Sequence, residues 1–460
     1  MAATEKVLLV SPVWQSLMVF GRPHLGLGLL AARLRDAGYD VAVADYILDR
    51  ATPPLKRLLR ELSPDIVGIT TTTSLWRATR DMLDMLKQRP DIRVIVGGPH
   101  ATLYTSEYEG DEGIDLIFLG EADDTLVPAL SERSHGRGAR TVPGLLADLR
   151  QLPFPAFDRC INVRSLVEYP VQTSRGCPFG CIFCTVSRVS SRQWRGRDLE
   201  ACYEELDAAV ARFPALKVFE LVDDNPGGKN LSRFKAFLAE YARRWKHKEL
   251  RIDNIRADAI DAEVATLLKE TGCGQIGLGV EHADPEVFRG INKGESLEQI
   301  REAASLLKAA GMRLGMCFVM GLPGDSFEKT KASVRFAREY GADYMFWNVL
   351  VPHKGTRVRE WMERHGDLYD EREFVTRTDN QILCDTPPFE TPTFSRRDIL
   401  RAHFWAVLAT DNYRLTKKVF FYVILTALRY GFIKELLLSL ISQFKRRLKR
   451  RLAAGKKRFF

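Results

Sequence analysis

The chain has 460 residues, of which 45% are hydrophobic and 28% are charged. This length and balance suit two or three globular domains and exclude a disordered or collagen-like chain. The formal net charge is +9, and nine cations with no acid lie between Lys445 and Arg458. A basic groove for nucleic acid in the rest of the chain is therefore not expected.

The use of cysteine favours a reducing compartment. Three of the eight cysteines lie in one cluster, and the other five are scattered singly, which is poor material for a disulfide framework. The first segment, MAATEKVLLVSP, has no basic region, and Ser11 and Pro12 break its apolar run. Neither a signal peptide nor an initial membrane span is supported, so we expect a cytoplasmic protein.

The first 130 residues alternate apolar runs with amphipathic stretches. KVLLV, DVAVAD, DIVGITTTTS, RVIVGGPH and DLIFLGEADD are predicted strands, and helices such as one near Leu55 to Leu62 lie between them. This order predicts a Rossmann-like, doubly wound parallel sheet, in which a ligand binds at the carboxyl ends of the strands. The alternative is that these ends are only tight turns.

The predicted strand ends carry small, glycine-rich or hydroxylated residues, which suit a large planar or nucleotide-bearing ligand. His100 is included, although a turn-stabilising side chain is the favoured interpretation for it. The candidate binding residues are Ser11, Thr70, Thr71, Thr72, Ser74, Gly97, Gly98, His100, Gly120 and Glu121.

A linker and a second α/β domain follow. SERSHGRGAR is polar and QLPFPAF has two prolines, so regular structure should lapse between about Ser131 and Asp158. From Tyr169 to Val351 six strand and helix units predict a partial (β/α)6 barrel of the TIM type, with chemistry at the strand carboxyl ends. Its first strand is expected in VQTSRG, and helices are expected from Asp198, Leu231, Ala262, Leu297 and Phe327. The predicted regions are a first domain (1–135), a linker (136–165), the barrel (166–358) and a helical carboxyl-terminal region (359–460).

The stretch SRGCPFGCIFC places Cys177, Cys181 and Cys184 on one loop after the first barrel strand. Thiolates are soft ligands, and Gly176 and Gly180 let the backbone wrap closely around an inorganic centre. A structural zinc ion would need a fourth ligand, and the nearest spare thiols lie 17 and 18 residues away. A 4Fe-4S cluster held by three cysteines leaves one iron open and explains the missing fourth thiol. Buried core cysteines are the third interpretation.

This loop, with the aromatic Phe183 just before its third cysteine, resembles the signature of the radical S-adenosylmethionine (radical SAM) enzymes. The resemblance implies that Cys177, Cys181 and Cys184 hold a 4Fe-4S cluster. Its open iron would chelate the amino and carboxylate groups of S-adenosylmethionine, and electron transfer would give a 5′-deoxyadenosyl radical.

Further positions resemble the segments with which this family binds S-adenosylmethionine. The two acids of LVDDN would approach the methionyl amino group, with a helix N-cap as the alternative for them. His282 stands where relatives commonly have Ser, and His353 and Lys354 depart from the P-x-P-G-T ending of relatives. The residues implied to bind S-adenosylmethionine are Phe183, Asp223, Asp224, Arg256, Glu281, Gly321 and Gly324.

The amino-terminal domain resembles the cobalamin-binding fold that precedes the barrel in one large subclass. The matching stretches are PHLGLGLLAARLRDAGYD, GGPHAT and LGEA, and the whole resemblance covers about residues 5 to 360. It implies that the candidate residues at the strand ends bind cobalamin. His24 lacks the Asp two positions earlier that the D-x-H-x-x-G motif requires, so no protein ligand to the lower face of cobalt is predicted. The transfer-RNA methylthiotransferases are set aside, because residues 1 to 159 hold no cysteine for their second cluster.

The carboxyl-terminal residues predict amphipathic helices that end in the basic tail. The longest uncharged run, Val419 to Leu428, has ten residues, well short of the ~20 that a membrane span needs. A peripheral contact of residues 417–460 with an anionic membrane surface and a docked helix with a solvated tail are both open.

The predicted function is that of a cobalamin-dependent radical SAM methyltransferase acting on an unactivated carbon or phosphorus centre. The alternatives are a related cyclase or oxidase without methyl transfer and a non-catalytic protein that binds a cofactor or metal. The predicted partners are a small-molecule or lipidic substrate and a flavodoxin- or ferredoxin-like electron donor. No nucleic acid is expected.

Overall fold

The fold is described from a computed structural model. The described residues are 4–12, 21–48, 51–132, 138–161, 163, 166–228, 230–370, 384, 386–413 and 416–456. The chain divides into two compact units, Met1–Ile276 with His353–Thr356 and Gly277–Pro352 with Arg357–Phe460.

The first domain is a doubly wound sheet, as predicted. All six strands are parallel, and their order in the sheet is β2-β1-β3-β4-β5-β6. The inner strands are buried. The elements are β1 (Lys6–Ser11), α1 (Leu25–Asp36), β2 (Asp40–Asp45), α2 (Leu55–Leu62), β3 (Ile66–Thr70), α3 (Trp76–Leu86), β4 (Arg93–Gly97), α4 (Pro99–Leu103), β5 (Leu116–Leu119), α5 (Leu126–Ser131) and β6 (Arg140–Pro143).

The strand order places a binding crevice between β1 and β3. The chain leaves β1 toward β2 on one side and reaches β3 on the other, which makes a topological switch point. The core beneath it is aliphatic, with Leu8, Val10 and Val67 fully buried. The carboxyl ends of β1 and β3 therefore form a rigid edge for a ligand.

The predicted linker is wrong in one part, because β6 lies within it and pairs with β5. The strand has four residues, and among its side chains only Val142 is buried, so it has no apolar run to reveal it. Further along the segment, Ala156 and Phe157 pack onto the first domain. Ala156 N–H donates to Gly28 O at 2.9 Å, and a Cβ on Gly28 would lie 2.4 Å from the Phe157 ring.

The second sheet has six strands in the order β14-β13-β12-β11-β10-β7. Each strand neighbours the previous one of the sheet, as in a barrel. The elements are β7 (Glu168–Val171), β8 (Ser174–Arg175), α6 (Val186–Val189), β9 (Arg195–Gly196), α7 (Leu199–Arg212), β10 (Val218–Leu221), α8 (Leu231–Trp245), β11 (Glu249–Ile255), α9 (Ala262–Glu270), β12 (Gln275–Glu281), α10 (Pro285–Gly290), α11 (Leu297–Ala309), β13 (Arg313–Met320), α12 (Phe327–Glu339) and β14 (Tyr344–Val349).

The first barrel strand begins earlier than predicted. Of the stretch VQTSRG only Val171 belongs to β7, and β8 pairs antiparallel with β9 instead. The Asp223 side chain causes this, because its carboxylate accepts the Thr173 N–H at 2.7 Å. That N–H is then not available for pairing with a neighbouring strand. The chain thus turns away from the sheet just before the cysteine loop.

The carboxyl-terminal region is helical, as predicted. It consists of α13 (Arg357–His365), β15 (Asp367–Leu368), β16 (Phe389–Glu390), α14 (Arg396–Ala409), α15 (Lys417–Tyr430) and α16 (Ile433–Lys456). Within the described part of the chain, no helix combines the length and apolar character that crossing a bilayer requires.

Candidate functional site

The three clustered cysteines lie on the loop between β8 and α6. All three are partly exposed, and none of them forms a disulfide. Cys184 N–H donates to Cys181 O at 3.3 Å, and Cys177 N–H donates to Ser191 O at 3.4 Å. Gly176, which precedes the loop, has φ +83, and a Cβ there would lie 2.2 Å from Gln193 O. Only glycine fits this position, so the tight entry to the loop depends on it.

Asn225 is a contact of the cysteine loop that sequence reasoning missed. Its Nδ2 lies 3.9 Å from Cys177 Sγ. Its Oδ1 accepts the Gly228 N–H at 3.2 Å, and its backbone oxygen accepts Trp194 Nε1–H at 3.0 Å. These bonds leave the amide nitrogen facing the sulfur, and hydrogen bonds to sulfur tune the potential of iron–sulfur centres.

The two acids after β10 have separate partners. Asp223 accepts hydrogen bonds from Thr173 N–H and Oγ1 and from Ser174 Oγ. Asp224 accepts the Gly176 N–H at 2.8 Å. Burial raises the pKa of both carboxyls, and these hydrogen bonds oppose the rise. The N-cap of α8 is Asn230, so the helix-cap alternative does not hold, and the role of both acids toward S-adenosylmethionine stays a prediction.

Arg256 also contacts the cysteine loop. Its guanidinium lies 3.3 Å from the ring centroid of Phe179, inside the CPFGC stretch. It pairs with Asp258 through two bonds of 2.9 and 2.7 Å. Phe183 is half-buried on the same loop. The structure therefore brings Arg256 to the loop that carries Phe183 and the cysteines.

The other predicted S-adenosylmethionine residues lie in the second unit, at the ends of β12 and β13. Glu281 has the positive φ of +65, rare for a residue with a side chain, and Gly321 and Gly324 have φ +86 and +78. Lys293 Nζ lies 3.3 Å from Glu281 Oε1. A Cβ on Gly321 would lie 2.4 Å from the Phe389 ring.

His282 ties the two strand ends of that unit together. Its Nδ1 accepts the Asp284 N–H at 3.1 Å, so Nε2 carries the proton that it donates to Asp325 Oδ1 at 3.0 Å. Asp325 Oδ2 accepts the Gly321 N–H at 2.9 Å. The His that replaces the common Ser therefore supports the Gly321 turn.

A cavity of about 600 Å³ opens at the switch point of the first sheet, within the first unit. One wall comes from the carboxyl ends of the first-sheet strands, and the opposite wall includes Arg175 and Asp224, which adjoin the cysteine loop. Gly98 has φ +98, and a Cβ on it would lie 2.8 Å from Thr70 Oγ1. At Gly97 and Gly98 the wall consists of backbone, so a large flat ligand can approach it closely there.

The candidate cobalamin residues divide into two groups. Half of them line the cavity: Thr70, Gly97, Gly98, Gly120 and Glu121. The others lie outside its lining: Ser11, Thr71, Thr72, Ser74 and His100.

His100 is fully buried beside the cavity rather than in its wall. Its Nδ1 lies 3.1 Å from Thr73 Oγ1, and its ring stacks on Tyr104 with centroids 4.5 Å apart. Tyr104 in turn places its hydroxyl 3.2 Å from His353 Nδ1, and Lys354 Nζ lies over its ring at 5.1 Å. The two departures from the P-x-P-G-T ending are therefore contacts with the first domain.

His24 and Asp45 also line the cavity, although neither is among the candidate binding residues named above. His24 caps α1, with Nδ1 accepting the Leu27 N–H at 3.2 Å, and its own N–H donates to Asp45 Oδ2 at 2.7 Å. Burial lowers the pKa of His24, and the charge of Asp45 opposes this. The signal available in the sequence was a His just before a helix and an Asp at a strand end.

Charged side chains join the two walls of the cavity. Arg175 binds Asp123 with two bonds of 2.7 and 3.0 Å and Glu121 with one of 3.1 Å. Arg195 also pairs with Glu121. Although burial works against its charge, Asp123 and Glu121 raise the pKa of Arg175. The pairing holds the start of the cysteine loop against the end of β5.

Comparison with known proteins agrees with this arrangement. Residues 171–337 match the model of the radical SAM superfamily, and residues 22–130 match that of the B12 binding domain. An uncharacterized methyltransferase of Pyrococcus horikoshii is 29% identical over 387 residues, covering 77% of this chain and 83% of the relative. An anaerobic magnesium-protoporphyrin IX monomethyl ester cyclase of Rubrivivax gelatinosus is 26% identical over 364 residues, covering 72% of this chain and 64% of the relative.

Among solved structures, the radical S-adenosylmethionine methyltransferase TsrM of Kitasatospora setae, with tryptophan and a SAM analog bound, superposes with a TM-score of 0.65. It is 19% identical, with 95% of this chain and 89% of TsrM covered, and at that identity the likeness shows the fold. A radical SAM domain preceded by a B12 binding domain defines the cobalamin-binding radical SAM enzymes. The chain belongs to this family.

The cofactors of this family are a 4Fe-4S cluster, S-adenosylmethionine and cobalamin, as predicted. The residues present fit the first, since three cysteines outside any disulfide share one glycine-bounded loop. Among the described residues no group of three His, Cys, Asp or Glu side chains is arranged to hold a single metal ion. In a cluster each thiolate binds a different iron, so the three thiols do not need to converge on one ion. The backbone of Gly97 and Gly98 in the cavity wall fits the flat face of cobalamin.

Proposed function

We propose that the chain is a cobalamin-dependent radical SAM methyltransferase that acts on an unactivated carbon or phosphorus centre. The observation that carries the proposal is the single cavity bounded both by the strand ends of the B12 binding domain and by residues beside the cysteine loop. When bound, the cluster with S-adenosylmethionine supplies a radical and cobalamin supplies a methyl group.

The residues of the chain position these two chemistries next to each other. Asp224 lines the cavity and also holds Gly176, the residue before Cys177, at 2.8 Å. Asn225 directs its amide at the Cys177 sulfur. The same segment after β10 therefore contacts the cavity and the thiol loop, so a ligand in the cavity lies beside the cysteines.

The names of relatives support methyl transfer and leave a second candidate. TsrM and the Pyrococcus horikoshii relative are named methyltransferases. The Rubrivivax gelatinosus relative is named a cyclase, which favours ring formation without methyl transfer as the second candidate. Both functions need an electron donor of the flavodoxin or ferredoxin type, and a small-molecule or lipidic substrate fits either.

The test is an anaerobic assay of the protein reconstituted with iron, sulfide and cobalamin. With S-adenosylmethionine and a strong reductant, a methyltransferase gives both 5′-deoxyadenosine and S-adenosylhomocysteine. A cyclase gives 5′-deoxyadenosine without S-adenosylhomocysteine.

The variant C177A/C181A/C184A should lose 5′-deoxyadenosine formation. The matched control is Cys202→Ala, which removes a buried thiol of α7, outside the loop, and should keep the activity. If neither product forms with wild-type protein, or if the triple variant remains active, the proposal is wrong.

A further inference from the structure

The last two helices carry apolar side chains on faces that the protein leaves open. On α15 these are Phe421, Leu425 and Leu428, spaced i, i+4 and i+7, and on α16 they are Leu437, Ile441 and Phe444 with the same spacing. All six are between 52% and 71% exposed. We call these six residues the apolar stripes. The spacing places the three residues of each stripe on one face of its helix.

Other faces of the same helices supply the packing of the unit. Val423 and Ala427 of α15 are fully buried, and Leu436 of α16 is 5% exposed. Ser439 Oγ lies 3.2 Å from the Tyr413 hydroxyl inside the unit. The apolar stripes are therefore additional to the core, and large exposed apolar surfaces mark sites of interaction.

The chain continues from the stripes directly into its basic tail. The α16 helix extends to Lys456, and the stretch from Lys445 to Arg458 has nine Lys and Arg residues and no acid. Subtracting those nine from the 68 cations of the chain leaves 59, which equals the number of Asp and Glu residues. In the sequence, the residues that account for the entire net charge therefore follow directly after the apolar stripes.

We propose that α15 and α16 form a docking surface for an anionic lipid bilayer. Apolar side chains would enter the boundary between headgroups and acyl chains, while the adjacent cations would contact acidic headgroups. Charge complementarity favours this occupant over a second copy of the chain, because two such tails repel and the rest of the chain is formally balanced. The surface does not depend on the reaction that the enzyme catalyses.

The test is sedimentation of the full-length protein with sucrose-loaded vesicles of phosphatidylglycerol and phosphatidylcholine. We expect the wild-type protein to bind vesicles rich in phosphatidylglycerol at least about tenfold more tightly than pure phosphatidylcholine, with binding reduced by salt. The triple variant F421S/L425S/L428S keeps every charge and should lose about tenfold or more in vesicle affinity. The charge variant K445Q/R446Q/R447Q should also lose affinity while keeping the stripes.

The matched control is L145S/L146S, which removes two exposed leucines of the first unit and should bind vesicles normally. Circular dichroism checks that each variant is folded. Equal binding to both lipids, or full binding by the folded stripe variant, would overturn the proposal. A doubled mass in light scattering without vesicles, abolished in the stripe variant, would assign the surface to a second copy instead.

Discussion

Removing the Arg175 guanidinium should destabilise the first unit through its effect on a single buried carboxylate. Arg175 is 10% exposed, and its partners Asp123 and Glu121 are each 7% exposed. When Arg175 is replaced, Glu121 still has its ion pair with Arg195. Most of the loss in stability therefore comes from the unpaired Asp123 carboxylate. Breaking a buried pair costs about 3–5 kcal/mol. We expect Arg175→Met to lower the free energy of unfolding by about 3 kcal/mol, the low end of that range, which is roughly a hundredfold in the equilibrium constant.

The assay is urea unfolding followed by circular dichroism, with hydrogen exchange of residues 174–191 as a local measure. Replacing both partners, in R175M/D123L, removes the unpaired charge together with its partner and should recover most of the lost stability. Arg175→Lys should lie between wild type and Arg175→Met, because one ammonium cannot make the bidentate contact. A loss below about 1 kcal/mol for Arg175→Met, or a double variant no more stable than the single one, would show that the unpaired Asp123 carboxylate does not set the stability.

Three further predictions concern the cavity, a buried histidine and the turn at Gly321. Gly98→Ala should lower cobalamin uptake, followed by absorbance, about tenfold or more, since its Cβ would lie 2.9 Å from Thr71 O. The control Gly38→Ala has φ +90 but open space around the Cβ, and equal uptake by both variants would contradict the prediction. Burial lowers the pKa of His403 to about 4, below its unfolded value of about 6.5. The contribution of neutral His403 to stability is therefore present above pH 6.5 and lost as the pH falls toward 4, by at most ~1.4 kcal/mol per pH unit. In urea unfolding, the free energy of unfolding of His403→Gln should depend less steeply on pH in that window than that of the wild-type protein. An equally steep pH dependence would show that His403 is not its source. His282→Ala should weaken S-adenosylmethionine binding, measured by calorimetry, about tenfold with the iron content unchanged. The Asp325 carboxylate, which holds the Gly321 turn, then loses the donor at His282 Nε2. An unchanged affinity would show that the Gly321 turn does not need the His282 ring.

Local signals in the sequence predicted much of the fold. The helices expected from Leu231, Ala262, Leu297 and Phe327 begin at those residues. Each follows a side chain that caps the helix, at Asn230, Asp261, Ser296 and Ser326. Capping is a contact over three residues, so it is visible in the sequence.

Contacts between distant residues were not visible in the same way. Strand β6 is stabilised by pairing with β5 rather than by its own apolar pattern. The Asn225 amide meets Cys177 across 48 residues, and Arg175 meets Asp123 across 52. The cysteine spacing predicted the cysteine loop. The groups that hold the loop in place, however, come from three other segments of the chain, so the spacing could not indicate them.

The central claim is that Cys177, Cys181 and Cys184 bind a cluster with one iron open to S-adenosylmethionine. The most direct measurement is electron paramagnetic resonance of the anaerobically reconstituted, reduced protein, with iron and zinc quantified on the same sample. We expect about four irons per chain and a spectrum that changes when S-adenosylmethionine is added. One zinc per chain, or a cluster spectrum that S-adenosylmethionine leaves unchanged, would contradict it.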